Sequence, residues 1–151
     1  MVDLEAHVAP GLDDGAANRE TALEMCRLAQ QAGTRELVVA VRTKLEGDFD
    51  RDELNRAVED LQAELGDSLY LHSSCVVRMT WANAPRVFRD PERYAINGLR
   101  YVPFEITSEM LARGGLGKIF RRYHDAGLFP IIARPERSAS LRRDMSRLRH
   151  W

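Results

Sequence analysis

Apolar runs and amphipathic stretches alternate along the chain. A short apolar strand at the start, expected to be buried, leads into Glu5 and His7, and a continuous apolar run at 37–41 is typical of a strand buried on both faces. Further strands are predicted at 69–77, 99–104 and 129–133. Helices are predicted between them, so the alternation indicates an α/β fold with a mostly parallel sheet and helical crossovers.

The ends of the predicted helices carry recognisable capping residues. Asn18 is placed to cap a helix over 19–32 that stops at Gly33, and Asp50 begins a second helix that ends at Gly66. Glycines 114, 115 and 117 open a later helix that Gly127 closes, and a last helix is predicted over 138–148. Prolines 85 and 91 limit any helix within 81–98 to short pieces.

The composition indicates an ordinary globular protein. Its 151 residues suit a single domain, expected over 1–151, and a net charge of -1 gives no sign of a nucleic-acid partner. No signal peptide and no apolar run near 18 residues is found, so we expect a cytoplasmic protein without a membrane span. Cys26 and Cys75 are then expected to be free thiols.

Side chains that could take part in catalysis or binding follow the predicted strands. In parallel sheets, functional sites gather at the C-terminal ends of the strands. Those ends here hold Glu5, His7, Arg42 to Lys44, Cys75 to Arg78, Glu105, and Arg134 to Arg137. Two residues apart on one strand, Glu5 and His7 are expected to point the same way.

Three motifs give the chain a specific resemblance. They are His7-x-x-Pro10-Gly11-x-Asp13-Asp14-Gly15, Val77-Arg78 after the third strand, and Phe129-Pro-Ile-Ile-Ala-Arg134-Pro135-Glu136-Arg137. In order and spacing the chain resembles the metal-dependent tyrosine phosphatases of bacterial capsule and exopolysaccharide operons, within the PHP (polymerase and histidinol phosphatase) superfamily. The resemblance implies a distorted seven-stranded β/α barrel with a metal cluster, usually manganese, in its mouth. We therefore expect an incomplete PHP-type barrel of about five parallel strand-helix units.

The resemblance also shows which metal ligands have been replaced. The family's first strand carries Asp-x-His-x-His, whereas this chain has Asp3-Leu-Glu5-Ala-His7, which leaves Asp3, Glu5 and His7 as residual ligands. Three other implied ligand positions hold Thr43 for histidine, Val76 for glutamate and Arg134 for histidine. The chain ends at Trp151 before two further family strands, so we expect open sheet edges and a homo-oligomer formed through an edge or through the final helix with Trp151.

Arginines stand where several of these ligands are expected. Arg42, Arg78, Arg134 and Arg137 are predicted to ring one pocket and to bind phosphate, because guanidinium groups form bidentate hydrogen bonds to phosphate and stay charged. The hypothesis is a pseudo-phosphatase without a cofactor that binds phosphotyrosine or serves as a protein-interaction module. The resemblance implies a phosphotyrosine protein such as a polysaccharide-operon tyrosine kinase as its partner.

Two alternatives stay open. Arg134 could simply pair with Glu5 or Asp3 to neutralise a former metal cavity. The chain could also retain manganese-dependent phosphatase activity through His7. Other chemistries fit poorly, because Cys75 and Arg78 lack the Cys-x5-Arg spacing and the loop Gly114-Gly115-Leu116-Gly117-Lys118 departs from a phosphate loop at both ends. His72 and His124 are isolated and are expected to be hydrogen-bonded or superficial.

Overall fold

The computed structural model describes residues 1–43, 49–143 and 146. Within these residues, five strands and six helices follow one another. They are β1 (Val2–Ala6), α1 (Arg19–Gln31), β2 (Glu36–Arg42), α2 (Arg51–Leu65), β3 (Tyr70–Met79), α3 (Ala84–Arg89), β4 (Tyr101–Ile106), α4 (Ser108–Arg113), α5 (Leu116–Asp125), β5 (Phe129–Ile132) and α6 (Ala139–Arg143). Short 3-10 turns lie at Gly66–Ser68, Ile96–Gly98 and Pro135–Arg137.

The chain forms two compact units. The N-terminal unit comprises Met1–Arg42 and Phe49–Cys75, and the C-terminal unit comprises Thr43 and the described residues from Val76 onward. Strand β3 contributes its first part to the N-terminal unit and its second part to the C-terminal unit.

The N-terminal unit is built on parallel pairing between β1 and β2. Val2 lies beside Glu36 and Ala6 beside Val39, with an irregularity after Asp3 that shifts the register. All five central residues of β2 are buried, as the continuous apolar run predicts. Strand β1 is only partly buried, since Val2 and Leu4 are about half exposed, so the expectation of a buried first strand was wrong. The core beneath these strands contains Leu23, Cys26, Leu37, Val39, Val41, Leu54 and Leu61.

The C-terminal unit repeats the parallel arrangement. Phe104 of β4 lies beside Val77 of β3, and Tyr101 of β4 lies beside Phe129 of β5. Its core centres on Tyr123 of α5, whose ring packs edge-on against Phe104 with 5.3 Å between centroids. Because this phenol is buried, its hydroxyl needs a partner, and it donates a 3.2 Å hydrogen bond to the Ala84 carbonyl.

Local sequence signals account for most helix ends. The Asn18 side chain accepts a hydrogen bond from the Thr21 amide, and Asp50 accepts from the amides of Asp52 and Glu53. The predicted strands are confirmed with shifts of one or two residues at their ends, including β4, which accommodates Pro103. Both cysteines are free and buried, as predicted.

One helix differs from the sequence-based predictions, and some predicted features fall outside the described residues. Helix α4 was not predicted from the sequence. Of the final helix predicted over 138–148, the structure describes Ala139–Arg143, while Lys44 and Trp151 lie outside the described residues. Among the described helices, none is long and apolar enough to cross a membrane. The single-domain organisation stays a prediction.

Candidate functional site

A tight corner follows β1 and fixes the position of His7. The Ala16 amide donates to the His7 carbonyl at 3.0 Å, and the Gly11 amide donates to the Ala16 carbonyl at 2.8 Å. A Cβ atom on Gly15 would lie 2.0 Å from the His7 carbonyl oxygen, which is far inside van der Waals contact. Only glycine therefore allows the corner to fold back onto His7.

The corner places His7 between two carboxylates. Its Nδ1 lies 2.5 Å from Asp13 Oδ2, and its Nε2 lies 3.3 Å from Glu5 Oε1. These hydrogen bonds, first the one that Asp13 accepts and then the one that Glu5 accepts, raise the pKa of His7 to about 9 despite partial burial. An imidazolium with both nitrogens protonated satisfies both acceptors, so His7 is a cation at neutral pH. The predicted proximity of Glu5 and His7 is confirmed.

Asp13, which accepts the shorter of the two His7 hydrogen bonds, is itself held as an anion. Burial raises the pKa of Asp13, but hydrogen bonds from His7 and from the backbone amides of Gly15 and Arg42 outweigh it and leave the pKa below its usual value. The Gly15 amide donates at 2.9 Å and the Arg42 amide at 3.2 Å. His7 and Asp13 thus form a charge-assisted pair that the backbone orients.

Arg42 binds the neighbouring acid in this unit. Its Nη1 donates to both carboxylate oxygens of Asp14, at 3.1 and 3.0 Å. The Arg42 side chain is about one quarter exposed, whereas that of Asp14 is largely exposed. The structure therefore shows Arg42 neutralising an acid of the motif, and its predicted contact with phosphate stays a prediction.

Three side chains of the N-terminal unit are placed so that they could hold one divalent cation. His7, Asp13 and Asp14 each offer a ligand atom, and these atoms lie within 4.8 Å of one another. One imidazole and two carboxylates match the preferences of a single hard or borderline ion. A bound ion would have to displace the His7 proton and compete with Arg42 for Asp14.

The ligands predicted from the resemblance only partly coincide with this group. His7 belongs to it, while Glu5 lies against His7, and the Asp3 carboxylate accepts a 3.0 Å hydrogen bond from the Glu5 amide. Sequence reasoning missed Asp13 and Asp14 as ligand candidates. The signal was present, because both belong to the motif that carries the resemblance.

Two further positions where the resemblance implies ligands lie in the C-terminal unit. Thr43 is buried, its amide donates to the Val76 carbonyl at 3.1 Å, and its hydroxyl accepts from the Arg78 amide at 3.1 Å. Val76 is fully buried and has no donor atom in its side chain. Both residues serve the packing and hydrogen bonding of this unit.

Three of the four predicted phosphate-binding arginines line one cavity in the C-terminal unit. Arg78 lies near the end of β3, beside Glu105 of β4, while Arg134 and Arg137 follow β5, and all three border a cavity of about 340 Å³. Because parallel strands end at a common edge, the ends of β3 and β5 bring these side chains together. Glu105 of β4 also borders the cavity, and its carboxylate lies 3.9 Å from Arg134 Nη2. The proposed pairing of Arg134 with Glu5 or Asp3 stays a prediction.

Arg134 adopts an unusual backbone conformation. Its φ of 44° and ψ of 51° place it in the left-handed region, which is costly for a residue with a Cβ atom. The turn Pro135–Arg137 follows immediately and carries Arg137. The strained residue therefore sits at the point where β5 turns towards the cavity.

The isolated histidines and the glycine-rich loop have structural roles. His72 pairs with Glu36 at 2.5 Å, and His124 packs edge-on against Phe129 with 6.2 Å between centroids. Gly115, with a left-handed φ of 85°, precedes the first residue of α5, so the glycine-rich loop opens a helix as expected.

Comparisons with known proteins place these features in context. Residues 1–151 match the family described as "Capsular polysaccharide synthesis, CpsB/CapC". The chain is 24% identical over 157 residues to tyrosine-protein phosphatase YwqE of Bacillus subtilis (strain 168), covering 99% of this chain and 60% of that protein.

A solved structure shows the same fold. It belongs to the work titled "Crystal structures of YwqE from Bacillus subtilis and CpsB from Streptococcus pneumoniae, unique metal-dependent tyrosine phosphatases" and superposes with a TM-score of 0.82 at 22% identity. The match covers 99% of this chain and 62% of that chain. The present chain thus spans less than two thirds of the length of these relatives.

Proposed function

The chain belongs to the CpsB/CapC family of capsular polysaccharide synthesis, and from that premise we propose that it binds phosphotyrosine or a similar phosphate-bearing group without hydrolysing it. The observation that carries the proposal is the cavity lined by Arg78, Arg134 and Arg137. The predicted resemblance and α/β fold are confirmed by the family match and the superposition. The relatives are tyrosine phosphatases, which supports a phosphorylated tyrosine as the ligand.

Size and charge of the cavity support an anion. About 340 Å³ lies at the small end of ligand sites, which run from roughly 300 to 1,000 Å³, and suits one phosphoryl group with part of its aryl ring. Three permanently charged guanidinium groups face one carboxylate, Glu105, among the described residues that line the cavity. An excess of positive charge remains for a phosphate dianion.

The same arginines argue against hydrolysis. A guanidinium keeps its proton at any physiological pH, so it cannot act as the general base that activates water. Thr43 has its hydroxyl engaged by the Arg78 amide, and Val76 has no donor atom, at two positions where the resemblance implies metal ligands. These replacements support binding over turnover.

The proposed partner is a phosphotyrosine protein, such as the tyrosine kinase of a polysaccharide operon. Binding would cover the phosphoryl group with cations and keep it from other proteins. In this proposal the protein acts in the cytoplasm, needs no metal, and uses its arginines where relatives use a metal-dependent site.

Isothermal titration with a phosphotyrosine peptide tests the proposal. Wild type is expected to bind, and Arg137→Ala to lose at least about tenfold in affinity, since a charge-assisted hydrogen bond contributes roughly 1.5–3 kcal/mol. Arg142→Ala is the matched control, because Arg142 is an exposed arginine of α6 that does not line the cavity. Absence of binding by wild type, or equal affinities in the two variants, would refute the assignment.

A second function is favoured by a different observation. His7, Asp13 and Asp14 converge closely enough to hold one divalent cation, and the solved relatives are described as metal-dependent. A bound ion would supply an activated water and neutralise phosphate charge. In that case this chain is a tyrosine phosphatase with a reduced metal site, in which His7 and the two aspartates hold the ion.

Paired measurements separate the two functions. Elemental analysis of the purified protein and turnover of p-nitrophenyl phosphate with manganese should both be negative for the binding protein. Stoichiometric metal and turnover that disappear in His7→Ala would establish the phosphatase instead.

A further inference from the structure

A second cavity in the C-terminal unit has no part in the proposed function. It is a groove of about 1150 Å³ beside α5, reaching from the loop Gly114–Gly115 to Phe129 and Pro130. Phe129 begins β5, whereas Ile132, the last residue of that strand, lines the arginine-lined cavity. The two cavities therefore lie at opposite ends of β5.

The groove carries a concentrated positive charge. Its described lining includes four Arg and Lys side chains, Arg113, Lys118, Arg121 and Arg122, and one carboxylate, Asp125. All four cations are exposed. The pairing of Arg113 with Glu109, at 3.5 Å between two exposed side chains, offsets little of this charge. With a net charge of -1 for the whole chain, the positive field is a local property of this groove.

One of these cations is held in place by an aromatic ring. The guanidinium carbon of Arg122 lies 4.2 Å from the centroid of Phe88. Such stacking fixes the side chain while leaving its N–H groups available at the ring edge. The groove thus offers at least one ordered donor rather than only mobile surface charges.

The groove is also apolar along part of its length. Leu116 and Phe120 are buried beneath it, while Phe129 remains 39% exposed and stacks on Tyr101, itself 52% exposed, with 5.3 Å between ring centroids. Exposed aromatic rings beside cations suit a polypeptide that alternates acidic and apolar side chains. Single-stranded nucleic acid could also stack a base on such a ring, but the net charge of -1 gives no sign of a nucleic-acid partner.

We propose that this groove binds an acidic segment of a partner protein. The cations of the groove bind the carboxylates of this segment, and an apolar side chain of the segment packs against the exposed Phe129 ring. Helix α5 has ten residues and so is about 15 Å long, which corresponds to four or five residues of an extended peptide at roughly 3.3 Å each. At about 1150 Å³ the groove exceeds the usual size of a small-molecule site, which also favours a polymer segment.

Fluorescence anisotropy tests this inference on the full chain. The probe is a fluorescein-labelled peptide of alternating glutamate and leucine, which contains no phosphate. Wild type is expected to bind with an affinity that falls as salt is raised, and Lys118→Glu with Arg121→Glu to lose at least about tenfold. The matched control is Arg35→Glu with Arg56→Glu, two exposed arginines of the N-terminal unit, which changes the net charge equally and should bind as wild type does.

Further variants and a second ligand separate specific binding in the groove from attraction to overall charge. Lys118→Gln with Arg121→Gln avoids charge reversal within α5 and should still weaken binding, with circular dichroism confirming the fold. Equal losses in the groove variant and the control would show attraction to overall charge and overturn the proposal. A single-stranded DNA oligonucleotide that binds more tightly than the peptide would overturn it as well. Titration of the groove variant with phosphotyrosine tests the arginine-lined cavity separately.

Discussion

Replacing Arg134 by glycine tests both the backbone and the chemistry of the arginine-lined cavity. Arg134 holds a left-handed conformation, with φ at 44°, that costs a residue with a Cβ roughly 1–2 kcal/mol and glycine almost nothing. Against this gain, glycine adds about 0.5–1 kcal/mol of unfolded-state entropy. The ion pair with Glu105, at 3.9 Å, is long and contributes about 0–1 kcal/mol.

These contributions nearly cancel in the free energy of unfolding. We expect Arg134→Gly to change stability by no more than about 1 kcal/mol, and Arg134→Ala to be less stable than Arg134→Gly by about 1 kcal/mol because alanine retains the strain. Phosphotyrosine affinity is expected to fall in both variants by about tenfold or more, since each loses one charge-assisted donor.

Urea unfolding followed by circular dichroism measures the first expectation, and isothermal titration with a phosphotyrosine peptide measures the second. Equal stabilities of the glycine and alanine variants would refute the argument from backbone strain. Unchanged affinity in both would refute the placement of Arg134 in the phosphate site. The two outcomes are independent, so each part of the reasoning can fail alone.

Three other predictions concern the N-terminal unit. Gly15→Ala should lower stability by about 1–3 kcal/mol in urea unfolding, because its Cβ would lie 2.0 Å from the His7 carbonyl oxygen; an unchanged midpoint would contradict this. Asp13→Asn should lower the pKa of His7 from about 9 towards 6.5 in an NMR titration. Since the folded pKa of His7 is raised, the pair stabilises fully below pH 6.5 and loses its effect through about pH 9, so the variant should be less destabilised at alkaline than at neutral pH; an equal loss at both would argue against the pair. Self-association is expected through β1, which comes first in the order of the described strands and exposes Val2 and Leu4, so light scattering should show an oligomer that Leu4→Lys weakens; a sharply monomeric wild type would count against it.

Periodicity and capping were sufficient to predict most of the fold. The apolar run of β2 and the caps Asn18 and Asp50 are local signals, and each gave its element to within one or two residues. Helix α4 escaped because six residues with only Met110 and Leu111 buried do not repeat a helical period. Exposure of β1 could not be read from its apolar composition, because burial depends on which elements cover a strand.

The candidate site was predictable where the argument rested on topology. Arg78, Arg134 and Arg137 were placed together because parallel strands end at a common edge, and they line one cavity. The link from His7 to Asp13 depends instead on a corner that folds back over several residues, which strand spacing does not encode. The contact of Arg42 with Asp14 joins residues 28 positions apart through a long side chain, which the pattern of strands and helices does not encode.

The carboxylates beside His7 need positive counter-charges, whether or not the protein binds a metal. Glu5 and Asp13 flank the His7 imidazole, and such partly buried carboxylates would be costly without counter-charges, whereas Asp14 is largely exposed. In metal-dependent relatives a cation can meet that requirement. Here the chain's own groups meet it, because His7 is protonated between two of the acids and Arg42 binds the third. A divalent ion would therefore have to displace both the His7 proton and the hydrogen bonds that Arg42 Nη1 donates to Asp14. Whether this chain binds a metal here therefore depends on how a divalent ion competes with the His7 proton and with Arg42, rather than on the number of carboxylates.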